Sequence, residues 1–561
     1  MTSSAQLVVL HLQGSEVEMG RQHGSITQQL GGRPELADFY PGMAGKLLAS
    51  KLPHAYRPAT RRLIQPMLSA QARRLHRART KRFPMLTARS RAGISAAQMS
   101  PGLVPWLTVM DVFQNSIGRL AGLRVPQLTG LQLAGIGMCS SLAVWNRTSV
   151  DGRLRHARNF DFPGIGVWDA RPAVVFCSPT DGLNYGFVTS LGVDLPGITG
   201  FNEAGITLTA HTRMHAHIDP DGTCIADLGH EVVRRARTLG EAVDIVRQLG
   251  SSSTWGLLVS SAAERDAVLI ETTGQAVRTV EPGAAHHLAC TNRYRHRALQ
   301  RDEVRTSDSF AIDSDARFET LESAARRGGL TAEDLQSLLA TAQDPGAQDT
   351  DLADRITGSC ITSPLTVQSV VVEPESAQIR VAAGRAPVAR GPWEVIPWQW
   401  GDAVGVRDIR NVVLPIPDSP LDRARAAYVE AARIDLEGAP ASQVHAHLHA
   451  AADHAPREPH LQLLGALASV AEGSLETASD RLRRGLEVES VPYRRAQLHR
   501  WAARVAEAQQ RMRDAHDHRA HIRALGPAAG PVLDQLQSDL RRPATRRSLA
   551  RTVPDLLLID A

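Results

Sequence analysis

An α+β fold is predicted for the middle of this chain, and two observations predict it. Short β-prone runs recur from Cys139 onward, at 173–176, 185–189, 206–209, 255–260, 267–271, 277–280 and 367–372. Between them lie stretches with helical spacing of apolar residues, at 227–249, 314–327 and 332–342. Strand meanders separated by helix pairs are the pattern of an α+β layer fold. Residues 139–390 are taken as this core.

The flanks read differently. Residues 1–138 are mostly helical in pattern, with an Arg-rich helix over 56–82 and an apolar one over 101–120; only 7–12 reads as a strand. Residues 391–420 are rich in Pro and Gly and read as a linker. Over 421–530 six helical stretches form three pairs, at 423–436 with 442–453, 460–472 with 475–488, and 494–508 with 512–525. The small-residue turn Ala471-Glu472-Gly473-Ser474-Leu475-Glu476-Thr477-Ala478, followed by Leu482 and Leu486, resembles a tetratricopeptide repeat, whose period is about 34 residues. Residues 531–561 are basic, then apolar, and read as a tail that is disordered or docks elsewhere.

Composition excludes several classes. With 561 residues there is room for two or more domains. The net charge is only +5 and aromatics are 4%, with no recognised nucleic-acid module, so no nucleic-acid partner is expected. No segment is long and apolar enough to span a bilayer, and the start does not read as a signal peptide. The five cysteines, 139, 177, 224, 290 and 360, contain no Cys-x-x-Cys, so neither a zinc ribbon nor a disulfide framework is expected. A reducing, cytoplasmic setting follows as the expectation. His211, His215 and His217 with Cys224, and His286 and His287 with Cys290, fit no standard zinc spacing and read as polar loops. His445, His447 and His449 alternate, and such positions do not share one helix face. Neither a cofactor nor a metal is expected.

The chemistry concentrates at Cys139. Met138-Cys139-Ser140-Ser141-Leu142-Ala143-Val144-Trp145 is followed by a polar turn ending Asp151-Gly152, and then by Arg153 to Phe162. Two β runs around Asp-Gly predict a hairpin. Its open end would join the Cys139 thiol to Arg158 and Asp161: one nucleophile, one cation that lowers its pKa, and one orienting carboxylate. The commonest fate of a strand cysteine is that of a small buried hydrophobe. That reading is kept for Cys177, Cys224, Cys290 and Cys360. Arg158 and Asp161 read alternatively as a surface ion pair, Asn292 as a turn cap and Arg317 as an ordinary helix residue. Asn202 reads as a turn residue.

Cys-Ser-Ser-Leu-Ala at 139–143, followed by Asp-Gly and by Arg-Asn-Phe-Asp at 158–161, resembles the start of the mature chain in the choloylglycine hydrolase and penicillin acyltransferase group. These are N-terminal nucleophile hydrolases, and the acyltransferase branch is the C45 peptidase-like, acyl-CoA:6-aminopenicillanic acid acyltransferase family. Gly200-Phe201-Asn202-Glu203-Ala204-Gly205, Cys290-Thr291-Asn292, Asp315-Ala316-Arg317-Phe318 and the strand from Thr366 are similar to further family segments, in the same order. Gly14 to Gly24 looks like the opening of the acyltransferase-type pro-segment. The resemblance spans roughly residues 8–400. It implies an αββα sandwich and a self-cut between Met138 and Cys139, which would split the chain into a pro-segment of 138 residues and a catalytic piece. It also implies a Cys139 that attacks with its thiol and uses its free α-amine as base. Arg158 would favour the thiolate, Asp161 would hold the amine, Asn292 would donate to an oxyanion, and Arg317 would support the site. Two features depart from the bile-salt branch: the turn from Asn146 to Asp151 is longer, and His211 and Thr212 stand where that branch carries an Asn. Both argue against a bile-salt substrate.

The function expected is amide C–N hydrolysis of a small acyl compound through an acyl-enzyme. The alternatives are acyl transfer from a thioester or amide to an amine, and an inactive relic that binds a protein partner through its helical tail.

Overall fold

The computed structural model describes residues 4–50, 57–122, 138–304, 308–343, 355–356, 359–417, 419–552 and 556. The strands are β1 Ser4–Gly14, β2 Ser140–Asn146, β3 Gly152–Asp161, β4 Pro172–Pro179, β5 Tyr185–Ser190, β6 Thr199–Asn202, β7 Ile206–Thr212, β8 Trp255–Ser261, β9 Asp266–Thr272, β10 Val277–Val280, β11 His287–Cys290, β12 Thr366–Glu373, β13 Gln378–Ala382, β14 Trp393–Pro397 and β15 Gly405–Val413. They form one sheet in the order β10-β9-β8-β7-β6-β5-β4-β1-β15 and a second in the order β11-β2-β3-β12-β13-β14. Neighbours are antiparallel except β1 with β4, which are parallel.

The helices are α1 Glu16–Gln29, α2 Leu36–Ser50, α3 Arg57–Arg82, α4 Pro84–Ala96, α5 Val109–Gly122, α6 Ile225–Arg235, α7 Leu239–Leu249, α8 Arg297–Gln300, α9 Asp308–Arg327, α10 Ala332–Leu339, α11 Pro420–Glu437, α12 Ala441–His454, α13 Pro459–Ala471, α14 Leu475–Val488, α15 Pro492–Ala508, α16 Met512–Ala524, α17 Val532–Arg541 and α18 Arg546–Leu549. This mixture of sheets and helices is the α+β class that the sequence predicts.

Alternation of side chains along each strand sends one set to each face. Leu7, Val9, Val174, Phe176 and Phe201 of the large sheet meet Val370, Val372, Ile379 and Val381 of the small one. Ala143, Trp145 and Leu154 meet Leu258 and Leu269 in a second cluster. The two sheets therefore pack face to face. The small sheet turns its other face, with Leu142, Val144, Ala157 and Val371, to Leu321 and Ala324 of α9 and Leu335 and Leu339 of α10. The large sheet turns Val8, Leu10, Leu208 and Val259 to the cluster that holds Met19 of α1, Leu228 of α6 and Val246 of α7. Strands covered on both faces show unbroken burial, as β5, β7, β8 and β12 do.

One expectation is corrected and two are sharpened. The strand expected over 7–12 forms as β1, and it sits inside the large sheet between β4 and β15. Residues 391–420, expected as a linker, contribute an edge strand to each sheet, β14 and β15. The tail over 531–561 is partly helical: Val532 and Leu536 of α17 join an apolar cluster with Tyr493 and Ile522. Leu549 and Leu556 are buried as well.

Residues 421–530 fold as three successive helix pairs. The first helix of each pair, α11, α13 and α15, begins with a proline in its first turn, where the missing N–H costs no helical hydrogen bond. His445 and His449 do share a face, both reaching Glu472, at 3.2 and 3.0 Å. An i, i+4 pair accounts for this, and the alternate position His447 stays off that face. No helix among the described residues is long and apolar enough to cross a membrane.

The helices α1 and α4 touch backbone to backbone. A methyl group on Gly24 would meet the carbonyl oxygen of Gly93 well inside contact distance. Alanine favours a helix over glycine by about 1 kcal/mol, but overpacking a rigid contact costs about 1–3 kcal/mol. The clash is with backbone, which cannot turn away, so the second effect wins. Gly24→Ala is expected to lower stability in urea unfolding; a variant as stable as the parent would show that α1 and α4 can separate freely.

Candidate active site

The hairpin forms in the expected place. Ser140 pairs with Asn159 and Ser141 with Arg158, so Cys139, just before β2, lies beside the end of β3. Its side chain is buried. The thiol contacts the Asp161 carbonyl oxygen at 4.0 Å, and Nη2 of Arg158 approaches Sγ at 3.9 Å.

Arg158 crosses between the sheets. Nη1 donates to the Ile198 carbonyl and, at 2.7 Å, to Thr199 Oγ1; Nη2 donates to the Ala210 carbonyl at 2.7 Å. Arg158 and Asp161 are both fully buried, which removes the surface ion-pair reading. Two effects oppose at the thiol. Burial raises its pKa, whereas the Arg158 guanidinium lowers it and Asp161 raises it; the outcome is upward. Arg158 acts in the thiolate direction, but burial outweighs it in this state of the chain. Desolvation of the anion exceeds the attraction of one cation 3.9 Å away.

Asp161 takes its hydrogen bonds from Thr366, at the head of the β12 strand that the sequence predicts, and from Ser363 just before it, neither of which the sequence assigned to the site. Thr366 Oγ1 donates to Oδ1 at 2.7 Å and Ser363 Oγ to Oδ2 at 2.8 Å. Burial pushes this carboxyl up to about 6 despite Arg317 and these hydroxyls. One signal was available: Thr366 stands opposite Asp161 in the ladder.

Arg317 lies on the chain ahead of β2. Nη1 donates to the Met138 carbonyl at 2.6 Å, to the Cys139 carbonyl at 2.8 Å and to Ser140 Oγ at 2.9 Å. Nη2 donates to Asn292 Oδ1 at 3.1 Å. The Asn292 amide nitrogen donates to Thr212, to Oγ1 at 3.1 Å and to the carbonyl at 3.3 Å. Asn292 thus bridges Arg317 and β7. Of the two residues that stand where the bile-salt branch is expected to carry an Asn, Thr212 joins this network. His211 instead reaches Ser141 Oγ at 2.9 Å, and burial holds it far below its usual pKa, hence neutral.

A cavity of about 30 Å3 opens beside Cys139, walled by Phe160, Phe162, Trp168 and Trp255, and by Tyr40 and Leu107 from the N-terminal segment. That is room for about two waters. Asp111 of α5 also lines it. This carboxylate, missed in the sequence because a single Asp on an apolar helix looks like a solvent contact, accepts from Ser253 Oγ at 2.6 Å and Trp255 Nε1 at 3.1 Å. Gln114 and Asn115 of the same helix bind the loop over 252–254.

Asn202 organises its turn, as expected, by accepting from the backbone of Ala204 and Ile206. Cys177, Cys224, Cys290 and Cys360 are buried, and none of them forms a disulfide. Among the described residues one group has the reach of metal ligands, His215, His217 and Asp302, with ligand atoms within 4.8 Å of one another. Cys224, which the sequence sets beside these histidines, instead contacts Ser252.

Residues 157–344, about a third of the chain, match the family model of acyl-coenzyme A:6-aminopenicillanic acid acyl-transferase. The matched stretch contains Arg158, Asp161, Asn292 and Arg317 and begins after Cys139. It supports the C45-type family to which the motifs point, and with it an enzyme of the acyl-transfer or amide-hydrolysis class. No curated protein matches the chain.

Burial pushes Asp111 up to about 6, against an unfolded value near 3.9. The folded chain then binds the Asp111 proton more tightly. Its contribution to stability is full in acid and is lost as pH rises through about 6. Asp111→Asn removes this titration. Between pH 7 and pH 5 the parent should gain on the order of 1 kcal/mol over the variant; denaturant midpoints that stay in parallel would refute the assignment.

Proposed function

We propose that the chain is a self-processing N-terminal-cysteine enzyme that cleaves linear amide C–N bonds of a small acyl compound. Its layered sheets and helices are read as the αββα sandwich of the N-terminal nucleophile hydrolases, and the helix pairs after it as a tetratricopeptide-like tail. The observation that carries the reading is Arg317 Nη1, within hydrogen-bond distance of the carbonyls on both sides of the Met138–Cys139 nitrogen.

In the self-cut, Sγ of Cys139 attacks the Met138 carbonyl carbon. The bond from that carbon to the Cys139 nitrogen breaks, and the thiol proton ends on the nitrogen. The products of this step are a thioester and a free α-amine. Water then releases Met138 as a carboxylic acid. Arg317 meets the oxygen on which negative charge develops, the role that donors of an oxyanion hole perform. Asp161, flanked by Arg158 and Arg317, stands ready for the new ammonium group. In turnover the thiol attacks the substrate carbonyl, the α-amine handles the proton, and the acyl group rests on Sγ. The apolar cavity walls suit an apolar acyl group.

Acyl transfer to an amine is the second reading, favoured by the matched family. It shares every residue named here and differs only in the acceptor. An N-acyl amide supplied with and without an amine acceptor distinguishes the two: free acid alone indicates hydrolysis, and a new amide indicates transfer.

Cys139→Ala should leave one uncut chain on a denaturing gel, where the parent gives two fragments; two fragments from the variant would end the proposal. Arg317→Ala should slow the cut by ~10²–10³, the usual effect of losing one oxyanion donor. The rate should also rise with pH through about 6 as Asp161 ionises. A rate that is flat between pH 5 and 7 would remove Asp161 from the chemistry.

A further inference from the structure

The helical tail is bound to the helix that carries Arg317. Asp313 lies one turn before Arg317 on α9 and is buried. Its Oδ1 accepts from Nη2 of Arg494, on α15 of the tail, at 3.0 Å, and from Ser359 Oγ at 3.0 Å. The same Nη2 donates to Ser359 Oγ at 2.8 Å. The next residue back, Ile312, packs against the tail cluster of Tyr493, Ala496 and Ile522. The residue after Asp313, Ser314, accepts from the backbone N–H of Asn292 at 3.1 Å and donates to Thr291 Oγ1 at 3.1 Å. Three consecutive residues of α9 therefore join the tail on one side to the Asn292 segment on the other. A second tie lies close by: Arg355 pairs with Glu489 of the tail at 3.5 Å, both almost wholly buried.

An exposed ion pair contributes little. This one is shielded, with 11% and 7% of the two side chains exposed. Removing one member of such a pair leaves the other charged and unpaired in the interior, which is strongly destabilising. Among the described residues, Asp313 without Arg494 would keep only the Ser359 hydroxyl as a hydrogen-bond donor, a buried carboxyl one turn from Arg317 with no other cation near it, placed to draw the guanidinium away from the Met138 carbonyl.

We infer that the tail is a working part of the catalytic unit: Arg494, through Asp313, is a positioning residue that keeps Arg317 on the Met138 and Cys139 carbonyls. The inference rests on the self-cutting reading. It gives the tail a task within this chain, apart from any protein partner. A misplacement of about 1 Å at a reacting group costs up to about 10²-fold.

The test is cell-free synthesis of the full chain, with the appearance of the smaller fragment followed over time on a denaturing gel. Arg494→Gln should cut about 10–100-fold more slowly than the parent. Arg494→Lys, which returns a cation to Asp313, should recover most of the rate. Asp313→Asn combined with Arg494→Gln, which removes the unpaired charge, should also cut faster than Arg494→Gln alone. Recovery in both is the supporting result, because a general loss of packing would not be reversed by a second substitution. The inference is overturned if Arg494→Gln cuts at the parental rate, or if all three variants are equally slow and melt at equally reduced temperatures. A parent chain that never cuts would sink the self-processing reading itself, and this inference with it.

Discussion

A guanidinium buried at the junction of two strands and a helix is the constraint on which the rest depends. Arg317 is almost wholly enclosed, and taking a cation out of water costs several kcal/mol even after relaxation. The chain offsets that with oxygen acceptors at Met138, Cys139, Ser140 and Asn292. Two buried carboxyls, Asp161 and Asp313, add favourable potential. The acceptors at Met138 to Ser140 fix the start of β2 and Asn292 fixes the segment after β11, while Asp161 acts on Arg317 through space from the end of β3. Moving α9 would disturb all of them together, which explains why α9 is held on its outer side as well as its inner one.

The hairpin and the tail helices were legible in the sequence for opposite reasons of period. β2 and β3 carry β-prone residues on both sides of Asp-Gly, and such a turn leaves little freedom of register. The tail repeats its apolar positions at helical spacing, and its helices begin and end within a few residues of expectation. β14 and β15 were not legible. They are edge strands with one exposed face, Val395, Val406 and Ile409 among the exposed residues, and Pro and Gly around them read as a linker. β15 could not be recognised without knowing that β1, some 400 residues earlier, offers the pairing edge, nor β14 without the edge that β13 presents.

The site was legible as a set of residues and much less so as a set of contacts. Motif order singled out Arg158, Asp161, Asn292 and Arg317, and the fold brings all four around Cys139. Which atom each one grips depends on partners distant in sequence: Ser363 and Thr366 for Asp161, Thr212 for Asn292. Such partners are ordinary hydroxyl residues, distinguishable only once the fold has buried them. The direction of the thiol's pKa was beyond reach for a similar reason. A cation nearby can be guessed from spacing, but the depth of burial that outweighs it cannot.

That direction has a consequence for the proposed chemistry. In the intact chain the thiol is held protonated beside a cavity with room for about two waters. The chain has an internal carbonyl, that of Met138, already polarised by Arg317 and one bond from the Cys139 nitrogen. A protonated thiol is a poor nucleophile towards a passing substrate, but towards a neighbouring carbonyl it has the advantage of proximity, which is worth several kcal/mol. On the self-processing reading the two conditions work in sequence. Burial keeps the thiol quiet until its own chain is cut; the cut then leaves an amine beside the sulfur to take its proton.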